Sequence, residues 1–83
     1  MVIKFRTNID AYRMVDWPRI SIVPRKGEYV NVHPSSESYC ILNHIPSRLE
    51  VVSVTYYQDA VLVELWYNET DYKLYTSAGY KLL

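Results

Sequence analysis

Glycine is almost missing from this chain, with two in 83 residues. So few cannot build a glycine-rich, phosphate-cradling loop. A single cysteine, Cys40, excludes an internal disulfide. Two histidines, His33 and His44, occur with no CxxC or HxxxH spacing, and zinc normally takes four ligands. Neither sign of charge is in excess: nine Lys and Arg stand against nine Asp and Glu. That balance disfavours a nonspecific nucleic-acid binder, whose affinity rests on a basic surplus. No apolar run reaches membrane-spanning length, and the opening MVIKFRTNID lacks the apolar stretch of a secretion signal. These absences predict a soluble protein in a reducing, intracellular setting, with no membrane partner, no cofactor and no metal.

What is present is β-forming sequence. Hydrophobic residues make up 49% of the chain, and nine tyrosines accompany two tryptophans and one phenylalanine. Tyrosine favours strands and places a large ring with a polar tip at half-buried positions. The length fits one domain, residues 1–83. A chain of this size hides roughly 60–65% of the surface its unfolded form exposes, so its core is small. The strongest local signal runs from Arg48 to Tyr67. RLEVVSVTYY and AVLVELWY flank the polar pair Gln58-Asp59, which predicts a long β-hairpin. In the first arm Leu49 and Val51 share one face, whereas Val52, Val54 and Tyr56 share the other. A bulge near Val51-Val52 reconciles the two sets and bends the strand. In the second arm Val61, Val63, Leu65 and Tyr67 share a parity, with Trp66 on the opposite one and expected beneath Tyr72 and Tyr75.

Elsewhere the pattern predicts shorter pieces. In VIKFRT, Ile3 and Phe5 face inward and Lys4 and Arg6 outward. Asn8 is placed to cap a short helical turn through IDAYRM, ended at Trp17-Pro18. RISIV, residues 19–23, reads as a strand. Pro24 to Gly27 reads as a turn, and EYVNV as a strand with Val30 and Val32 on one face. Residues 33–38 read as a polar loop and YCILNHI, residues 39–45, as another strand. Asn68 with acids behind it starts a helix over 69–78, stopped at Gly79. A long bent hairpin among short strands predicts a mainly β fold: a small, strongly bent barrel of five or six strands with a C-terminal helix.

The segments KFRTNIDAYR, WP, VPRKGEYVNV, LEVVSVTY and VLVELW resemble small phage and prophage proteins of SH3-like β-barrel type. The Pro-x-x-Gly-Glu-x-Val stretch, Pro24 to Val30, is common to many small barrels. The resemblance covers the first two thirds of the chain. It implies an SH3-like barrel of phage or mobile-element origin, acting in the cytoplasm of a bacterial host cell, rather than any particular activity.

No catalytic arrangement emerges. Ser35, Ser36 and Ser38 lie beside His33, without the strand-to-helix elbow or oxyanion turn of a nucleophilic enzyme. Cys40 is expected to be buried and inert; in a strand His44 would stand over about 12 Å from it. Glu50 and Glu64 lie in facing arms of the predicted hairpin and are expected to meet solvent or Arg48. The basic residues, by contrast, gather early: Lys4, Arg6, Arg13, Arg19, Arg25 and Lys26 precede residue 27, against Asp10 and Asp16. Interleaved with Tyr12, Trp17 and Tyr29, they form a candidate recognition face, since Trp, Tyr and Arg dominate binding hot spots. The expected contacts are Arg13, Trp17, Arg19, Arg25 and Tyr29. The expected function is non-enzymatic docking on a host or virion protein, with self-association through an edge strand as a further route. The alternative is a single-stranded nucleic-acid binder using the same basic and aromatic face.

Overall fold

Residues 48–66 fold as the hairpin that their β-branched and aromatic content dictates. In the computed structural model, which describes residues 2–66, β3 spans Arg48–Tyr56 and β4 spans Ala60–Trp66. They pair antiparallel. Tyr56 pairs with Val61, and the Tyr57 N–H donates to the Ala60 carbonyl at 2.7 Å, so the polar pair Gln58-Asp59 forms the tip. Ahead of them, β1 (Val2–Thr7) and β2 (Tyr29–Asn31) complete a four-stranded, curled half-barrel sheet in the order β1-β4-β3-β2. The protein is mainly β, as its composition requires. β1 runs parallel to β4, with Phe5 opposite Val63. Among the described residues β1 and β2 are the two sheet edges.

The sheet curls around Val51, which is fully buried. The register slips between Val51 and Ser53, leaving Val52 as the extra residue of a bulge. This turns Val54 onto the core side with Leu49 and Val51. A second irregularity meets Val51 from β2. The Gly27 N–H donates to the Val51 carbonyl, and the Val51 N–H to the Glu28 carbonyl, both at 2.8 Å. Two residues thus oppose one, with a glycine at φ +91° in the first position, the arrangement of a glycine bulge. The same glycine is third in a turn closed by Glu28 N–H to Arg25 carbonyl at 3.0 Å, where positive φ is required. The turn therefore lies one residue later than Pro24 to Gly27, and Pro24 precedes it.

Alternation places the core. Val61, Val63 and Leu65 of β4 are buried, as are Val30 and Val32, while Ile3 and Phe5 of β1 pack against them from the inner face. Ile9, Ala11, Tyr12 and Val15 close one side of this core. They lie in and around a single turn of 3-10 helix, Asp10–Tyr12, shorter than the IDAYRM helix expected. Asn8 does not cap it: Ile9 holds the cap position in an extended conformation with no side-chain bond. The Asn8 Oδ1 is buried with no partner among the described residues.

Two expected strands are absent. Residues 19–23 form no ladder with any described residue. YCILNHI is helical rather than extended: a 3-10 turn, Pro34–Ser36, leads into α1, Glu37–Leu42. Pro34 supplies a helix-compatible φ at the first position, and His33 caps the turn by accepting from the Ser35 N–H. Helical spacing then aligns Ser36 and Cys40, both buried, and leaves Ile41 and Leu42 exposed. The residues expected to form a polar loop are thus the start of this helix. Its end is a Schellman motif. Ile45 N–H reaches the Cys40 carbonyl at 3.0 Å, and His44 N–H reaches that of Ile41 at 3.3 Å. His44 occupies the left-handed position at φ +55°, where glycine is usual. The expected helix over 69–78, with Tyr72 and Tyr75 above Trp66, lies outside the described residues. Among the described residues no helix is long and apolar enough to cross a membrane.

Candidate docking groove

β1 alternates, so one short strand offers an apolar wall and a cationic rim. Ile3 and Phe5 turn toward the core side and Lys4 outward. After the 3-10 turn the chain comes back along β1, because Trp17 stacks there. Its ring centroid lies 5.6 Å from that of Phe5 and 5.9 Å from that of Tyr12. Tyr12 is itself fixed, its hydroxyl donating to the Pro46 carbonyl at 2.7 Å. Pro18 then directs Arg19 and Ile20 along the strand. The result is an open groove of about 540 Å³ lined by Ile3, Lys4, Phe5, Trp17, Pro18, Arg19 and Ile20. Its floor is aromatic and aliphatic. Its two charged residues, Lys4 and Arg19, are both cationic and exposed, and neither forms an ion pair with a described residue.

A second groove, of about 440 Å³, opens where the bulge bends β3. Val23 and Pro24 face Val52 and Val54 across it, with Arg25, Lys26 and Tyr56 around them. The Glu28 carboxylate is turned back to accept from the Arg25 backbone N–H and does not line the groove.

The five residues singled out from sequence are thus distributed. Trp17 and Arg19 meet in the first groove, and Arg25 lines the second. Arg13 is exposed at the end of the 3-10 turn and lines neither. Tyr29 projects from the sheet face opposite Val30, on the edge strand remote from β1. The Arg48 guanidinium sits over its ring at 4.5 Å, a cation–π contact between diagonal neighbours on β2 and β3. Lys4 was read from sequence as part of the basic face but not among the five expected contacts, although its place between Ile3 and Phe5 was the available signal. Sequence reasoning did not reach Tyr56, whose contribution depends on the bulge.

The other constellations resolve into structure. The Ser35 hydroxyl lies 2.8 Å from His33 Nδ1 and 3.5 Å from Asp16 Oδ2, and the Ser35 N–H donates to the same His33 nitrogen at 3.1 Å. Serine stands between imidazole and carboxylate, whereas a triad puts histidine between them. The Asp16 N–H donates to Ser36 Oγ and the His33 N–H to the Asp16 carbonyl, each at 2.8 Å, so this corner ties Asp16, just ahead of the 17–26 segment, to the 3-10 turn that leads into α1. Cys40 is buried. Burial, aided by the nearby Glu37 charge, pushes its thiol pKa up, away from thiolate chemistry. Among the described residues no group of three His, Cys, Asp or Glu side chains could hold a metal ion. Glu64 pairs with Arg6 at 2.8 Å rather than with Arg48, an exposed bridge worth at most about 1 kcal/mol. Trp66 is 49% exposed.

No protein-family model, no curated protein and no solved structure matches this chain.

Proposed function

We propose that this protein is a non-enzymatic binding module that docks on another protein through the groove between β1 and residues 17–20. The observation that carries the reading is the composition of that groove: an apolar and aromatic floor rimmed by Lys4 and Arg19, both without ionic partners among the described residues. Apolar floors supply affinity by losing water, and rim cations steer encounter and select partners. The resemblance of KFRTNIDAYR, WP, VPRKGEYVNV and the two hairpin arms to phage and prophage proteins supports an SH3-like type, a phage or prophage origin, and a host or virion protein as the target in the bacterial cytoplasm.

The alternative, stacking of single-stranded nucleic acid, has the cations it needs. Its aromatic platform is weaker, because the Trp17 ring is already engaged by Phe5 and Tyr12. The two readings separate by affinity capture of the tagged protein from a bacterial lysate, with and without nuclease, read by mass spectrometry. A discrete protein retained after nuclease is the expected result. Capture that vanishes with nuclease, together with single-stranded DNA binding that falls steeply with salt, would establish the nucleic-acid reading instead.

A further inference from the structure

Residues 17–26, WPRISIVPRK, hold three cations and no carboxylate. One end of this strip walls the first groove and the other end walls the second. Between them lies a stretch that looks like a strand and has no strand partner among the described residues. RISIV is β-branched and bracketed by Pro18 and Pro24, yet no backbone–backbone hydrogen bond joins residues 17–24 to any described residue. Arg19, Ser21 and Ile22 are exposed, Ile22 at 81%. A local preference left unsatisfied among the described residues is a feature expected at a functional site.

We infer that this strip receives an extended, acidic segment of the partner protein, with aliphatic side chains alternating with its carboxylates. The inference rests on the docking reading above and names the partner's chemistry. Charge complementarity selects the acid: Lys4 and Arg19 rim one groove, Arg25 and Lys26 the other, and no carboxylate lines either. The grooves accept the aliphatic side chains. The N–H and C=O groups of residues 19–23, unpaired among the described residues, supply main-chain bonds to an added strand, which gives affinity while the pockets give specificity. The geometry suits one continuous segment. The sheet-side walls of the two grooves are β1 and β3, two strands apart in the sheet. That separation is about 10 Å, or some three residues of extended chain.

The test is selection of a displayed random-peptide library on the immobilised full-length protein, followed by anisotropy titration of the enriched peptides. The expected peptides interleave Asp or Glu with Leu, Ile or Val. They are expected to bind the R19S/R25S variant at least about tenfold more weakly, because two rim cations are removed. Both positions are exposed, so the variant keeps its fold. Amide resonances of residues 19–23 are expected to shift on binding. Enriched peptides lacking acids, with affinity unchanged in R19S/R25S but lost in Trp17→Leu, would overturn the acidic segment and leave groove docking standing. Enrichment of no peptide, with tight single-stranded DNA binding, would overturn both.

Discussion

Trp17 and Phe5 meet with their ring centroids 5.6 Å apart and their planes tilted by 33°. This pair joins the irregular 17–26 segment to the regular sheet and forms the groove floor at the same time. Trp17 is half-buried against the core, so Trp17→Ala is expected to cost about 2 kcal/mol, somewhat less than a fully buried aromatic. Arg19→Ser removes an exposed cation and is expected to stay within about 0.5 kcal/mol of the wild type. Urea denaturation of the two variants checks this. Equal stabilities would mean that Trp17 is not part of the packing.

Gly27 holds φ +91° with nothing within 4 Å of where a Cβ would stand. The cost of a side chain there is conformational rather than steric. Gly27→Ala is expected to lose about 1–2 kcal/mol, read as a lower denaturant midpoint with unchanged slope. No loss would show that the turn accepts a different backbone, and the bulge opposite Val51 would need another cause.

His44 presents the converse. It occupies the left-handed position of the Schellman motif at φ +55° with a side chain that disfavours it. His44→Gly is expected to stabilise the protein by up to about 1 kcal/mol, because Ile45 and Cys40 keep their bond and their place in the core. A thermal melt settles the sign. Destabilisation would mean that the exposed imidazole makes a contribution beyond the backbone.

Cys40 gives a pH signature. Its folded pKa is raised by burial and by Glu37. The native state therefore holds the proton at pH values where the unfolded chain has released it. Stability is intact below the thiol's ordinary pKa and falls as the pH rises through the window between the unfolded and folded values. Cys40→Ala, compared with the wild type across that alkaline range, is expected to show a flatter dependence. In the native protein the thiol is expected to react slowly with a disulfide reagent and quickly once unfolded. Rapid native reaction would contradict its burial.

Much of the fold was legible where a single periodicity ruled. In VIKFRT, EYVNV and the second hairpin arm the more buried positions recur every second residue, and in the first arm the Val52 bulge shows as a change of parity. Reading failed where local signals competed. YCILNHI has strand composition, but Pro34 and the cap from His33 had already started a helix, and helical spacing suits Ser36 and Cys40. RISIV has strand composition and finds no partner among the described residues, although β1 and β2 are both edge strands there. Of the candidate site, Trp17 and Arg19 were visible as residue types two positions apart. Their meeting with Lys4 depends on the chain returning along β1, which no pattern in the sequence announces. Tyr29 and Arg25 belong to the same linear cluster, yet the sheet sends them elsewhere, Tyr29 beneath Arg48.

The measurement that bears most directly on docking through the β1 groove is nuclease-treated capture by the wild type beside the Lys4→Glu, Arg19→Glu double variant, its fold verified by circular dichroism. Both side chains are exposed and without ion pairs among the described residues, so the reversal changes the groove rim and not the core. The wild type is expected to retain a discrete protein and the variant to lose it. Equal retention by the two would contradict the assignment of this groove as the docking site.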